Sequence, residues 1–540
     1  MNGIAKISDY YIKGKVDRLH RLEDYIRPLF YIRHCKIKML IVTDFGADYG
    51  TSNFGLLSFL KAFDEPLPYT SFEITKAHRR NDTNADIEDF KFDAHDLSQY
   101  DVIFLFGVER PAFRPPAGAN LVDDSELRAI SEYMDNGGGI FATGDHEDLG
   151  VDMCGKIPRI RSMRRWWTAA NPGPNGEPFA PAQGGGNNLD TVVDTDTVTP
   201  GLQGSQSDLV PQTIYPIYRY GFASAGYSSS LLYRYVKYPH PVLCSPDGVI
   251  KVLPDHMHEG LCEVPSDLTM SFNFDGYSIT EYPMVSGARL RPEVIARATN
   301  HVTDTKFGVI ATLDGHKHDD IGRVLVDATW HHFFNINIGQ FQSLKELVDG
   351  GRYTPTAAEV VALNQYNFIQ HYFRNIAYWL AGKNKQTCFR NRGIRWLLNH
   401  NDVKMNLIFD VERLNRFDRI QYFYTVGTLA KNALGDLQSE CQSSGLSIIY
   451  DVIFPVKRST TMIRKENFSF IDPQIFEAVC LGCSLHDLNL KLRASKDDMN
   501  DKEVEKILTH STYESAMILM DEISSNVSTL KRRLRKQVKG

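Results

Sequence analysis

The sequence predicts an α/β protein in which a parallel sheet with a long lid insertion precedes a mainly helical C-terminal region. Two observations predict the sheet: short, fully apolar runs stop at an acidic residue or a glycine, and helical segments separate these runs. A third observation is the mostly helical pattern of residues 387–540. Because 540 residues exceed one ordinary core, two or three domains are expected.

The first half of the predicted sheet follows in order. Residues 1–36 have the pattern of a helical lead-in, and residues 38–44 (KMLIVTD) form the first strand. After a glycine-rich loop, a helix begins with residues 54–60. Further strands are predicted at residues 71–77 and 100–107.

A capped helix leads into the fourth strand. Asp123 and Glu126 place carboxylates at the start of this helix, and Asn136-Gly137 is a typical stop signal. The strand lies within residues 137–150, GGGIFATGDHEDLG, and it ends in the polar run Asp145-His146-Glu147-Asp148. A parallel strand that opens into acids and a histidine is where an open α/β sheet usually places its chemistry.

The remaining elements set the domain boundaries. Residues 151–240 are rich in Gly, Pro, Asn, Ser and Tyr and predict an irregular lid insertion. Residues 307–313 and 322–329 predict a strand pair that closes the sheet, and residues 356–381 predict a long amphipathic helix. We therefore expect a lead-in over residues 1–36, a sheet domain over residues 37–382 and a helical domain over residues 387–540.

Bulk properties restrict the function. A net charge of −6 and a pI of about 6.3 make nucleic acid an unlikely partner. No apolar run approaches the roughly 18–20 residues of a membrane span, and the polar N-terminus does not resemble a secretory signal. The eight scattered cysteines predict reduced thiols and a cytoplasmic protein. Cys480 and Cys483 form an isolated CxxC, which is more typical of two buried cysteines than of a zinc site.

Histidines and acids recur after predicted strands. The clusters begin at Asp145, Pro254 (PDHMHEG), Asp314 and Thr329 (TWHHFFN). The carboxyl ends of parallel strands meet at one edge, so we expect Asp145, His146 and Glu259 to form a catalytic site, with Asp44 at a neighbouring strand end. The cluster from Asp314 instead predicts a solvated turn.

These residue types also suit a divalent metal. Asp255, His256, His258 and His331 form a candidate ligand set for zinc, manganese or iron. His331 and His332 would point to opposite faces of a strand, so only one of them would be a ligand. A bound metal would lower the pKa of a water to about 7, and Glu259 or Asp145 would act as the base. A His–acid site without metal is an equally weighted alternative.

A basic aromatic cluster opens the lid. Arg161, Arg164 and Arg165 suit a phosphate or carboxylate, and Trp166 suits stacking, so these residues are candidates for binding an anionic part of a substrate. The alternative is a lid that packs its tryptophans on the sheet and pairs its arginines with nearby acids.

The C-terminal region carries a short heptad seam. Its members are Ala516, Met520, Ile523, Val527, Leu530 and Leu534. A helical hairpin is favoured over a dimer zipper because the seam is under three heptads long. The basic run 531–536 is interpreted as a solvated helix end. A protein partner, or self-association through these helices, is expected.

The motifs together resemble a known family. Residues 38–381 are similar to the class I glutamine amidotransferase-like fold, which is flavodoxin-like, and especially to its ThuA-like branch. The strongest resemblance is to a group of bacterial proteins without an assigned activity that share GGGxFATGDHEDLG, IPRIRSMRRWW, PDHMHEG and TWHHFFN. Residues 387–540 take no part in this resemblance.

The resemblance contains one departure. Amidotransferases of this fold carry a nucleophilic cysteine in a Gly-x-Cys-x-Gly turn, and Ala142 stands at that position here. Cys154 is too far along the chain to replace it, so glutaminase activity is not expected. We expect a hydrolase with a His/Asp/Glu site acting on a small molecule. The alternative is a catalytically silent binding or scaffold subunit of a larger bacterial assembly, such as a defence system.

Overall fold

The computed structural model describes most of the chain in two compact units. The described residues are 35–44, 46–65, 70–80, 84–109, 122–145, 148–166, 209–220, 237–245, 247–254, 259–274, 276–285, 287–300, 305–317, 321–407, 411–433, 473–494 and 499–539. A sheet unit ends at Gln386, and a helical unit begins at Thr387 and also includes Cys35. Residues 1–34 of the predicted lead-in lie outside the described residues, and Cys35 and Lys36 belong to the first strand. The sequence also predicts an apolar strand-like run at 446–454, which lies outside the described residues.

Within the described residues, eight strands form the main sheet. They are β1 (Cys35–Thr43), β2 (Thr70–His78), β3 (Val102–Phe106), β4 (Gly139–Thr143), β5 (Tyr215–Pro216), β6 (Glu293–Asn300), β7 (Thr305–Leu313) and β8 (Val324–Asp327). Their order across the sheet is β2-β1-β3-β4-β8-β7-β6-β5. Strands β1, β3, β4 and β8 are parallel to their neighbours in this group. Strands β7, β6 and β5 continue the sheet in antiparallel pairs.

The sheet is α/β and mostly parallel at its centre, as the apolar runs predict. All residues of β3, β4 and β8 are buried, which explains their uninterrupted apolar sequences. Strand β6 was not predicted, because Glu293 and Arg297 interrupt its apolar pattern. Its position beside β7 makes this side of the sheet antiparallel.

The carboxyl ends of four strands lie at the same level of the sheet. Thr43 pairs with Phe106, Phe106 with Thr143, and Thr143 with Asp327. The residues that follow these positions therefore emerge along a single edge, as expected for parallel strands. Asp145 follows β4 and the TWHHFFN segment follows β8 at this edge.

Six helices belong to the sheet unit within the described ranges. They are α1 (Leu57–Lys61), α2 (Asp124–Asp135), α3 (Val151–Cys154), α4 (Ile160–Met163), α5 (Asn335–Asp349) and α6 (Ala357–Leu380). Helix α2 begins with a capping box between Asp123 and Glu126, and α6 with one between Thr356 and Glu359. These reciprocal hydrogen bonds place both helix starts where the sequence predicted them.

Shorter elements surround the sheet. Two-residue or four-residue ribbons pair 212–213 with 252–253, 219–220 with 237–238, 244–245 with 248–249, 271–274 with 277–280, and 284–285 with 288–289. Single 3-10 turns in the sheet unit occupy residues 92–94, 97–99, 241–243, 315–317 and 330–332, and one in the helical unit occupies residues 411–413. The described part of the predicted lid thus contains α3, α4 and several short strands.

An aromatic cluster fixes the chain after β8. The Phe333 ring lies 5.0 Å from Phe141, 5.4 Å from Phe106, 5.7 Å from Phe59 and 5.1 Å from Phe373, measured between centroids. All five rings are fully buried. Because Phe333 is anchored in this way, the two histidines that precede it have little freedom to move.

The helical unit is built from α7 (Lys383–Asn399), α8 (Asn401–Asn406), α9 (Arg416–Ala433), α10 (Pro473–Ala494) and α11 (Asp501–Lys539). Helices α9 and α10 approach closely at two glycines. A Cβ on Gly427 would lie 1.8 Å from the Ala478 carbonyl oxygen, and one on Gly482 would lie 1.9 Å from that of Phe423. Any larger residue at these positions would separate the helices.

The predicted heptad seam divides along α11. Ala516 is buried in the core of the helical unit, and Met520 and Ile523 pack against that core. Val527, Leu530 and Leu534 are 58%, 57% and 51% exposed. The first part of the seam thus packs within its own unit, as a helical hairpin requires, and the partner predicted for this region stays a prediction.

The cysteines differ from expectation in one pair. Cys35 and Cys388, both in the helical unit, form a disulfide with a Cα–Cα distance of 6.0 Å. The prediction of reduced thiols is wrong for this pair, because a separation of 353 residues gives no sequence signal of proximity. Cys480 and Cys483 are buried, as predicted. Among the described helices, none is long and apolar enough to cross a membrane.

Candidate functional site

Asp145 lies at the turn that follows β4. Its backbone amide donates to Leu149 O at 3.0 Å, and Trp330 N donates to Gly144 O at 2.7 Å, which joins this turn to the segment after β8. A Cβ on Gly144 would lie 2.1 Å from Trp166 Nε1, so only glycine fits beneath that indole. The Asp145 carboxylate is fully buried.

The segment after β8 supplies the groups around the Asp145 carboxylate. Thr329 Oγ1 donates to Asp145 Oδ1 at 2.8 Å, and His331 Nε2 lies 3.6 Å from Asp145 Oδ2. The other ring nitrogen of His331, Nδ1, lies 2.7 Å from Asn337 Oδ1. Asn337 thereby orients the imidazole and leaves Nε2 directed toward the carboxylate.

His332 is held between two carboxylates in the interior. Its Nδ1 lies 2.6 Å from Asp327 Oδ1, and its Nε2 lies 3.2 Å from Glu259 Oε1. Tyr372 Oη donates to Asp327 Oδ2 at 2.5 Å. Burial alone lowers the pKa of His332, but the charges and hydrogen bonds of Asp327 and Glu259 outweigh it and raise the pKa to about 10. His332 is therefore a cation at neutral pH and cannot act as a base there.

Two buried oxygen atoms beside His332 have no hydrogen-bond partner among the described residues. They are Glu259 Oε2 and Gln212 Oε1, and both side chains are fully buried. Gln212 Nε2 donates to Glu259 Oε1 and lies 2.8 Å from His332 Nε2. Unsatisfied oxygens of this kind suit a bound water, because leaving them bare costs free energy.

The histidines and acids only partly fit a metal site. His331 has the arrangement common in metal-binding histidines, with one nitrogen on an oxygen acceptor and the other directed to a carboxylate. Among the described residues, no three His, Cys, Asp or Glu side chains are placed to hold an ion. Asp255, His256 and His258, the other predicted ligands, lie outside the described residues, as does His146. The predicted metal thus stays a prediction.

Asp44 occupies the end of β1 and is buried. Its Oδ1 accepts from Val108 N at 2.6 Å and from Glu109 N at 3.2 Å. This carboxylate therefore holds the loop that follows β3. Its predicted catalytic role rests only on its position at the same edge of the sheet.

The predicted anion-binding residues contact other protein groups. Arg161 is buried and pairs with Glu281 Oε1 at 2.6 Å, while Arg165 pairs with Glu263. Arg164 is fully buried, donates to the Asp145 carbonyl and lies over the buried Trp166, 5.0 Å from the ring centroid. These contacts correspond to the alternative of a lid packed on the sheet. Substrate binding by these side chains stays a prediction.

The described site offers no reactive thiol. Ala142 is buried in β4, and Cys154 lies on α3 with its Sγ 4.0 Å from Thr143 O. Burial, reinforced by the charge of Asp44, raises the pKa of Cys154 well above its ordinary value. A buried neutral thiol is a poor nucleophile.

Sequence reasoning missed several members of the cluster. Asp327, Thr329 and His332 lie in or next to a predicted strand, so a polar run at its carboxyl end was the available signal. Gln212 and Tyr372 come from the lid and from α6, and their contribution depends on tertiary packing. His331 and His332 lie in the 3-10 turn 330–332 and not in a strand, so the predicted opposite strand faces do not apply, and the two imidazoles have separate partners.

The chain matches no protein-family model. Curated proteins likewise include no sequence that matches it.

Proposed function

We propose that the sheet unit is a hydrolase whose reactive pair is His331 and Asp145. One observation carries the proposal: the ends of β4 and β8 bring a histidine and a carboxylate within 3.6 Å of each other, and Asn337 and Thr329 fix their orientation. Buried charge at this density is expensive, and it recurs at functional sites more often than elsewhere.

The chemistry follows from the orientation of the imidazole. With its proton on Nδ1 toward Asn337, neutral His331 offers the Nε2 lone pair and can accept a proton from an attacking water. The positive charge that forms on the ring is balanced by the Asp145 carboxylate. The positively charged Arg164, held against the Asp145 carbonyl, lies at the same turn and favours a substrate that develops negative charge.

A divalent metal is part of the proposal in one version. His331 Nε2 and Asp145 Oδ2 are close enough to bind the same ion, and Asp255, His256 and His258 would complete the set. Such an ion would supply hydroxide at neutral pH. The version without metal relies on His331 alone as the base.

The fold relationship is also a proposal. The first strands of the sheet have the order β2-β1-β3-β4, and β8 comes next. This is the order of a flavodoxin-like sheet, in which ligands bind outside the carboxyl ends of the strands. The order supports an amidotransferase-like, ThuA-like relationship with a lost cysteine.

A silent binding subunit is the competing proposal, and one observation favours it. His331 is only 3% exposed and the other members of the cluster are fully buried. A site that substrates reach needs an opening, whereas a cluster that only stabilises the edge does not.

Activity assays on the full chain distinguish the two proposals. Chromogenic carboxylic esters, phosphomonoesters, phosphodiesters and amides would be tested with and without added Zn²⁺ or Mn²⁺. His331→Ala and Asp145→Asn are expected to lower turnover of the substrate class that reacts by about 100-fold or more. His510→Ala, which removes an exposed histidine of α11, is the control that retains full turnover.

Two results would count against a hydrolase that uses His331. Turnover that survives His331→Ala would show that the reaction occurs elsewhere. Inactivity toward every substrate class would favour the silent subunit, provided that the protein shows a cooperative melting transition and is therefore folded. Metal analysis of purified protein, followed by chelation, tests the metal version: stability and turnover that ignore the chelator would remove it.

A further inference from the structure

A groove on the antiparallel side of the sheet is separate from the buried cluster. Its cavity volume is about 690 Å³. Strands β6 and β7 and the segment 261–264 form its walls. Its charged lining residues are Glu263, Arg291, Glu293, Arg297 and Lys306.

The strand register places two cations on the same face of this sheet edge. Arg297 pairs with Gly308, and Lys306 pairs with Thr299, so both side chains leave the same side of the sheet as diagonal neighbours. Tyr215 of β5, which pairs with Arg297, lies on that side too, and Lys306 Nζ is 4.1 Å from its ring centroid. The strand register and the Lys306–Tyr215 contact therefore both place these side chains on the same face of the sheet.

Gly308 makes the groove's floor. A Cβ at this position would lie 2.0 Å from the Cys262 carbonyl oxygen. Because Gly308 has no Cβ, the segment 261–264 can lie against β7, where Cys262 N donates to Gly308 O at 3.0 Å. The groove is therefore bounded by hydrogen-bonded backbone on one side and by Arg297 and Lys306 on the other.

The charges of the groove are not balanced. Glu263 is neutralised by Arg165, and Glu293 lies opposite Thr312, at the other end of β6 from Lys306. Arg291, Arg297 and Lys306 are exposed, and among the described residues none of them has a carboxylate partner. Diagonal like charges repel one another, so a bound anion would remove an unfavourable interaction as well as form new ones.

We propose that this groove binds the phosphate group of a small molecule. Arg291 and Arg297 supply planar guanidinium groups that match phosphate oxygens in a bidentate manner, and Lys306 adds a compact third charge. A single carboxylate would leave two of the three cations uncompensated, whereas a phosphate dianion leaves only one. The inference concerns binding and does not depend on the reaction at His331.

Titration of the full chain with inorganic phosphate and with phenyl phosphate tests the proposal. Calorimetry would be run at constant ionic strength in chloride, so that general screening does not vary. We expect saturable binding by the wild type that Arg297→Gln and Lys306→Gln each weaken by about tenfold. Tighter binding of phenyl phosphate would identify an organic phosphate as the ligand, and equal binding would identify free phosphate.

The controls separate a built site from general attraction. Arg532→Gln removes one exposed cation from α11 and is expected to leave both affinities unchanged. Lys306→Arg retains the charge and is expected to preserve binding within a few-fold. Non-saturable binding by the wild type, or equal losses in Arg532→Gln and Arg297→Gln, would overturn the proposal. Both groove substitutions are at exposed positions, so unchanged melting curves confirm that the variants are folded.

Discussion

Two groups of cations in the sheet unit have opposite surroundings. Arg159 and Arg161, near the start of the lid, are buried, and their guanidinium groups pair with the carboxylates of Asp135 and Glu281. Arg297 and Lys306, on the antiparallel edge, are exposed and have no carboxylate partner among the described residues. The first group is conspicuous in the sequence because its arginines are clustered. The second group is dispersed along the chain. Clustering in sequence therefore does not identify the cations that are free to bind a ligand.

Glu281 explains the difference. Its carboxylate is fully buried and accepts from Arg159 N at 2.6 Å, from Arg161 Nη2 at 2.6 Å and from Ser162 Oγ at 3.1 Å. Arg159 has a φ of +71°, a conformation that costs energy in a residue other than glycine. The network holds this strained turn in place, so these arginines act on the fold through Glu281.

The largest expected effect comes from removing the shared carboxylate. Glu281→Gln leaves the Arg161 charge buried without its counterion and should lower the free energy of unfolding by about 3–5 kcal/mol. Urea denaturation of the full chain, followed by far-UV circular dichroism, measures this change. Asp349→Asn, which breaks the exposed pair with Lys345, is the matched control and should cost no more than about 1 kcal/mol.

A double variant makes this prediction sharper. Combining Arg161→Met with Glu281→Gln removes both charges, so its cost should be less than the sum of the single costs by about 1–3 kcal/mol. Additive costs would mean that the two side chains act independently, and the contrast between paired and unpaired cations would fail.

The second effect concerns His332, a buried cation that is also matched by carboxylates. Its pKa is raised to about 10 in the folded protein, above the ordinary value of 6.5. The folded state therefore holds a proton that the unfolded state loses between these values. The resulting stability is complete below about pH 6.5 and declines by up to about 1.4 kcal/mol per pH unit as the pH rises toward 10.

Stability measured from pH 6 to pH 10 in the wild type and in His332→Gln checks this sign. The variant should be less stable at pH 6 and should have a flatter profile over the same interval. Parallel profiles would show that His332 does not change its charge there. Tyr366→Phe, a buried hydroxyl variant on the same helix as Tyr372, should leave the slope unchanged.

The smallest effect is expected at the groove. Arg297→Gln removes an exposed cation without a carboxylate partner, so the free energy of unfolding should change by less than about 0.5 kcal/mol. Chemical denaturation in chloride measures it. A loss comparable with that of Glu281→Gln would show that Arg297 is structural, which would also count against the phosphate groove.

Much of the fold could be predicted from local pattern. Buried strands such as β3 have continuous apolar sequences. Helix α6 begins at the capping box formed by Thr356 and Glu359. Strand β6 could not be predicted, because Glu293 and Arg297 line the groove and interrupt the apolar pattern of the strand. The Cys35–Cys388 disulfide could not be predicted either, because pairing across 353 residues depends on how the chain packs.

The sequence predicts where the candidate site lies but does not predict all of its residues. Apolar runs ending at Asp145 and before the TWHHFFN segment already predict one shared edge, since parallel strands align their carboxyl ends. The sequence could not say that His332 is clamped by Asp327 and Glu259 or that Tyr372 reaches Asp327 from α6. The contacts of His332 with Glu259 and of Tyr372 with Asp327 join residues 73 and 45 positions apart, which local sequence cannot bring together.

By itself the sequence determines the alternation of strands and helices, the glycine turn before Asp145 and the absence of a cysteine at Ala142, because these depend on neighbouring residues. Only the tertiary structure decides which charges are compensated. It buries Arg161 against Glu281 and leaves Arg297 and Lys306 side by side across two antiparallel strands. The energy of a charge depends on its exposure to solvent and on the charges near it in space, and the local sequence determines neither of these.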